Sequence, residues 1–123
     1  MKNVFILLAL ICAPLFVNAQ AAPAFKWSET VHDFGKIKKG IPASTDFNFT
    51  NTGKTPLTLS EVKGSCGCTA TKYTQEAVGS GKKGFVQATY NAANVGAFTK
   101  TVTVTSNVEG GQVILTIKGE VIE

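Results

Sequence analysis

A chain of 123 residues with a formal charge of +4 has room for one domain. Its twelve bases are all Lys, scattered rather than massed, which argues against a dense nucleic-acid-binding face. Hydrophobic residues make up 44% of the chain and Cys only three positions, so a core can form without metals or a disulfide framework.

Met1-Lys2-Asn3 carries a positive charge, residues 4–17 carry none, and Val17-Asn18-Ala19 offers residues that a signal peptidase reads. This is the three-part build of a secretory signal peptide over residues 1–19, with cleavage after Ala21 or Ala22 as alternatives. The apolar run falls short of the ~20 residues a spanning helix needs, which disfavours a permanent anchor, and no transmembrane segment is expected after cleavage. Cys12 lies inside the run behind Ile11, not behind a small residue, and reads as part of the discarded peptide. Residues 20–25, rich in Ala with one Pro, are expected to form a flexible lead-in to a domain over 26–123.

From there on, apolar residues recur with a period of two, as in half-buried strands. The spacing predicts strands at Lys26–Phe34, Ala43–Asn51, Pro56–Val62, Thr69–Tyr73, Gly84–Asn91, Gly96–Ser106 and Gln112–Ile122. In the second, Phe47 and Phe49 share one face. In the sixth, Phe98, Lys100, Val102 and Val104 alternate with Thr99, Thr101, Thr103 and Thr105. In the seventh, Val113, Leu115, Ile117 and Val121 share a face and Ile114 breaks the pattern. Leu57 and Leu59 are out of phase with Val62, so a bulge is expected near Ser60-Glu61. Asn51-Thr52-Gly53, Gly79-Ser80-Gly81, Asn94-Val95-Gly96 and Glu109-Gly110-Gly111 supply turns. One-sided burial implies antiparallel pairing. The fold class is therefore all-β, an immunoglobulin-like antiparallel β-sandwich of about seven strands. Its expected core is Phe47, Phe49, Leu57, Val86, Val102, Val104, Leu115 and Ile117. The Cys, Trp and Cys spacing of antibody domains is missing, since the one Trp, Trp27, stands near the start.

One spot carries unusual chemistry: Gly64-Ser65-Cys66-Gly67-Cys68-Thr69. In an exported protein a disulfide is the first thought. Residues i and i+2 of an extended chain lie roughly 6.6–7.2 Å apart at Cα, whereas disulfides want roughly 4.4–6.8 Å, so the chain must bend, with Gly67 as the expected hinge. Such a small loop gains only about 1.6 kcal/mol in the chain-entropy account. Three readings stand open: an easily reduced disulfide or dithiol; two same-face thiolates taking a soft metal such as Cu(I) or Zn; or two small apolar residues packed in a corner. A closed zinc site wants four ligands, and the chain has a single His.

Other features point to structure. His32 beside Asp33 could act as a base, but no nucleophile can be tied to it. Lys36, Lys38 and Lys39, and Lys82 and Lys83, fall at turns and strand ends, where lysine keeps sheets soluble. Asn48-Phe49-Thr50 matches a glycosylation sequon inside a strand. No phosphate loop, paired carboxylates or nucleophile elbow is present, no cofactor is expected, and no catalytic residue is assigned.

The stretches Phe47-Asn48-Phe49-Thr50-Asn51-Thr52-Gly53, Pro56-Leu57, Ser65-Cys66-Gly67-Cys68-Thr69 and Gly96-Ala97-Phe98-Thr99-Lys100, with Val102-Thr103-Val104-Thr105-Ser106-Asn107, resemble the bacterial domain-of-unknown-function 1573 family. The resemblance implies an exported immunoglobulin-like module of the kind common in Bacteroidetes, similar to hydin-type domains of cilia, and transfers no catalytic residue. Ala77-Val78-Gly79 departs from it where such proteins often carry a Pro before the Gly. The function expected is a non-catalytic binding or scaffolding module of the periplasm or cell surface, with a protein or cell-envelope partner and no nucleic acid. The alternative is a thiol-redox or soft-metal protein acting through Cys66 and Cys68.

Overall fold

The computed structural model describes residues 22–123, so the segment read as a signal peptide, with Cys12, lies outside the described residues. Eight strands follow: β1 (Phe25–Trp27), β2 (Val31–Lys38), β3 (Ala43–Asn51), β4 (Leu59–Gly64), β5 (Thr69–Tyr73), β6 (Lys83–Tyr90), β7 (Gly96–Ser106) and β8 (Gln112–Ile122). They form two four-stranded sheets, β1-β3-β6-β5 and β2-β8-β7-β4, packed face to face. The inward residues are those set by the alternation. All eight expected core residues are buried, from Phe47 and Val86 in one sheet to Val102 and Leu115 in the other. Ile114, the residue out of phase in β8, is turned outward and 53% exposed.

The N-terminal strand differs from expectation. Lys26–Phe34 is two strands in two sheets. Trp27 pairs with Phe49 of β3, and Ser28 N–H donates to Asn48 O at 2.9 Å. The chain then crosses over, and Thr116 N–H of β8 donates to Thr30 O at 2.9 Å. The polar Ser28-Glu29-Thr30 makes the crossing, and the apolar phase flips with it, from Phe25 and Trp27 to His32 and Phe34. β2 runs parallel to β8, against the expectation of purely antiparallel pairing. Period-two alternation reports which face is covered and not which way the neighbour runs, so an edge strand of either sense leaves the same pattern.

Pro56–Val62 also divides. Leu57 forms an isolated bridge to Val78, with N–H···O distances of 2.9 and 2.8 Å, before β4 begins at Leu59. The register of β4 on β7 slips between Leu59 and Glu61, which is the expected bulge, and Leu59 and Val62 both reach the core. The β7–β8 hairpin closes on Gly110 (φ +94°) and Gly111 (φ +76°), backbone shapes that favour glycine.

Asn51 is wholly buried and holds the loops of one end together. Its Oδ1 accepts from Ala24 N–H (3.2 Å) and Gly53 N–H (2.9 Å), and its Nδ2 donates to Thr55 O (2.8 Å) and Val78 O (2.9 Å). Ala22 and Pro23 lie directly over Gly53, where any Cβ would strike Ala22 O. Of the segment expected as a flexible lead-in, residues 20 and 21 lie outside the described residues, while the backbone of residues 22–24 runs over Asn51 and Gly53. Asn107 does similar work on the same loop, accepting from Thr58 N–H (2.9 Å) and donating to Pro56 O (3.1 Å).

Candidate functional site

β4 is an edge strand of one sheet and β5 an edge strand of the other. Residues 65–68 carry the chain between them, so the cysteine turn is a crossing from sheet to sheet. It is fastened on both sides by hydrogen bonds. Ser65 N–H donates to Thr101 O at 2.8 Å, Thr101 N–H returns a bond to Ser65 Oγ at 3.1 Å, and Asn91 N–H donates to Cys68 O at 3.0 Å. Within the turn, Thr69 N–H donates to Cys66 O at 3.3 Å. Cys66 and Cys68 are joined by a disulfide with Cα atoms 5.2 Å apart. That separation lies inside the usual range for a bridge.

The bend is not made by a left-handed glycine at the expected hinge, since neither Gly67 nor the neighbouring Gly64 has a positive φ. Gly64 is needed for proximity: a Cβ there would stand 2.9 Å from Thr69 O. Gly67 faces open space. The crossing is narrowed further by Thr71 Oγ1, which donates to Val62 O at 3.2 Å. Both cysteines are half-buried, and Cys68 packs against the core. Thr69, 7% exposed, places Oγ1 3.7 Å from Cys66 Sγ. A disulfide sulfur has no hydrogen to give, so the hydroxyl is the donor.

Of the open readings, the bridged pair is the one present, and its sulfurs are engaged with each other. Among the described residues no three His, Cys, Asp or Glu side chains gather where a metal could sit. His32 is not oriented by Asp33. Its Nδ1 meets Glu29 Oε2 at 2.9 Å in the open, while Asp33 Oδ1 accepts from Gly35 N–H at 2.8 Å.

Sequence reasoning missed a surface. The outer face of the β2-β8-β7-β4 sheet is centred on short β-branched side chains: Thr99, Thr101 and Thr103 of β7, Ile114 and Thr116 of β8, and Val31 of β2, which is 49% exposed. Two shallow depressions lie on it. One, of about 430 Å³, is bordered by Asp33, Lys36, Lys118 and Glu120, and the other, of about 460 Å³, by Glu61, Lys63 and Gln112. A smaller hollow of about 240 Å³ on the opposite sheet is lined by Lys26, Trp27, Asn48 and Lys83. The threonine alternation signals an outward face, but only strand order shows which residues it brings side by side.

A family model for proteins of unknown function, DUF1573, matches residues 25–121. The chain belongs to the DUF1573 family. No curated protein matches it. Among solved structures it is similar to a protein of unknown function from Porphyromonas gingivalis W83, with a TM-score of 0.72, 15% identity, and coverage of 85% of this chain and 49% of that one. The chain thus spans about half the length of that structure. It is also similar to the ASH/PapD-like domain 7 of human CEP192, with a TM-score of 0.63 at 13% identity and 99% coverage of both chains. A third likeness is to the secreted serine protease VesC from Vibrio cholerae, with a TM-score of 0.57 at 14% identity, over 85% of this chain and 24% of that one. At such identities the likeness is one of fold, and the fold shared is the PapD-like and immunoglobulin-like sandwich. As a DUF1573 domain, the chain accounts structurally for most of the residues that carry the family resemblance. Phe47, Phe49 and Leu57 fill the core, while Asn51, Gly53 and Asn107 pin loops. The disulfide is the exception.

Proposed function

We propose that this domain is an exported binding module that docks face-on to a protein partner of the periplasm or cell surface. One observation carries the reading: the outer face of the β2-β8-β7-β4 sheet is uncharged at its centre and ringed by both signs of charge. An apolar and hydroxyl-bearing centre within a charged rim is the general layout of a protein interface. Strand addition at an edge is the competing mode, and the edges are guarded against it. β1 has three residues, β2 carries a register shift with exposed Lys36 and Lys38, and β4 and β5 are tied to each other. Acid–base catalysis has little to draw on, since the one His is held by Glu29 at the surface. No helix of the described residues is long and apolar enough to cross a membrane.

The test is site-specific photo-cross-linking in the producing organism. A photoreactive residue at Thr101, on the proposed face, should give a discrete protein adduct, and one at Asp46, on the opposite sheet, should not. Thr103→Arg should abolish the Thr101 adduct while leaving the fold intact. Adducts from Asp46 alone, or a Thr101 adduct indifferent to Thr103→Arg, would refute docking through this face.

A further inference from the structure

We infer that the Cys66–Cys68 bridge is a reversible two-electron redox centre that exchanges with dithiols of exported proteins, and that Thr69 decides which sulfur is attacked. The first ground is that the fold has no use for the bridge as a staple. It closes a sequence separation of two, a span over which cross-linking removes little freedom from the unfolded chain. The turn is already held by Ser65 on Thr101, by Asn91 on Cys68 and by Thr69 on Cys66, all through backbone groups. These bonds do not involve sulfur. Opening the bridge therefore leaves two thiols at nearly the same places, ready to close again.

The second ground is asymmetry. Thr69 Oγ1 faces Cys66 Sγ, and among the described residues no hydrogen-bond donor meets Cys68 Sγ. In thiol–disulfide exchange the sulfur that leaves more easily is the one whose thiolate is better stabilised. The hydroxyl stabilises a thiolate on Cys66, so the incoming thiolate attacks Cys68 Sγ. The Cys66–Cys68 bond breaks, and its electron pair passes to Cys66 Sγ, which takes a proton from water. A mixed disulfide then joins Cys68 to the reductant. The reductant's second thiolate attacks its own sulfur in that bond and expels the Cys68 thiolate, which is protonated in turn. Two electrons and two protons have entered the pair, and the dithiol has become a disulfide. The reverse sequence oxidises the pair at the expense of a partner disulfide. Thr69 is a positioning residue in both directions.

The experiment uses the purified native protein with dithiothreitol and with glutathione as probes. Reduction by dithiothreitol, followed by alkylation and mass measurement, should go to completion while the far-ultraviolet circular dichroism spectrum stays unchanged. Reaction with glutathione, quenched by acid, should place the adduct on Cys68. Thr69→Val should slow reduction about three- to tenfold, the effect of losing a hydrogen bond to half-developed charge, and Thr69→Ser should restore the rate. A bridge that resists a hundredfold excess of dithiothreitol until the protein unfolds would overturn the redox centre. Adducts on Cys66, or a Thr69→Val rate equal to that of the native protein, would overturn the assigned direction of attack.

Discussion

Asn51→Ala offers the sharpest test of how this sandwich is held together. The side chain makes four hydrogen bonds. Truncation orphans Gly53 N–H and one interaction of Val78 O where both are buried, and Ala24 N–H and Thr55 O where they are partly covered. A buried group left without its partner costs about 1–3 kcal/mol, and a partly covered one, which water can reach, about 0.5–1.5 kcal/mol. Val78 O keeps its bond from Leu57 N–H, which places its share at the low end. The expected loss is about 3–5 kcal/mol, a large part of the about 5–15 kcal/mol by which domains are stable. Urea unfolding followed by tryptophan fluorescence is the assay, because Trp27 sits in the strand that Asn51 helps to seat. The midpoint should fall with the slope unchanged.

Asn51→Asp separates lost bonds from lost volume. The carboxylate can still accept from Ala24 and Gly53 but cannot donate to Thr55 and Val78. Full burial and those two facing carbonyls outweigh the two N–H donors and push its folded pKa above the ordinary ~3.9. A folded pKa raised above the unfolded one means that stability is lost as pH rises through this interval and recovered as pH falls. The Asp variant should therefore gain on the native protein between pH 7 and pH 4. An Asn51→Ala loss below about 1.5 kcal/mol, or an Asp variant that tracks the native pH profile, would show that the loops are seated by packing instead.

Gly84→Ala should lower stability by about 1–3 kcal/mol, since a Cβ there would lie 2.5 Å from Cζ of the buried Phe49; a thermal melt checks it, with Gly67→Ala, which meets open space, as the neutral control. Replacing both cysteines with Ser should cost under about 2 kcal/mol in urea, and a larger loss at constant slope would make the bridge a structural clamp. Ile114→Thr, on the exposed face of β8, should change stability by no more than about 0.5 kcal/mol while reducing any adduct formed from Thr101.

Much of the fold could be read locally. Phe47 and Phe49 alternate with Asp46 and Asn48, the Leu59-to-Val62 phase slip announces a bulge, and paired glycines mark the last hairpin. Each is a short-range signal whose meaning does not depend on a distant partner. What escaped was set at long range. The switch of sheet at Ser28-Glu29-Thr30 left a trace in the change of phase from Trp27 to His32. A polar triplet inside an apolar run is equally what a continuous strand with a bend would show, and only pairing with Asn48 on one side and Thr116 on the other tells them apart. The loop before β4 escaped for the same reason, because its backbone is satisfied by Asn51 and Asn107 from other elements.

The candidate site divides along the same line. Its chemistry is local: two cysteines separated by a single residue announce either a tight bridge or a pair of ligands. Its geometry is not. The sequence places the hinge at Gly67, yet the bend comes from β4 and β5 belonging to opposite sheets, which forces the chain to turn across the edge and brings Thr69 N–H under Cys66 O. That same crossing puts the Thr69 hydroxyl beside one sulfur and not the other. The asymmetry that orders the proposed exchange is thus a product of topology. No inspection of Ser-Cys-Gly-Cys-Thr as a motif could supply it, because an extended strand of the same residues would send the Cys66 and Thr69 side chains to opposite faces.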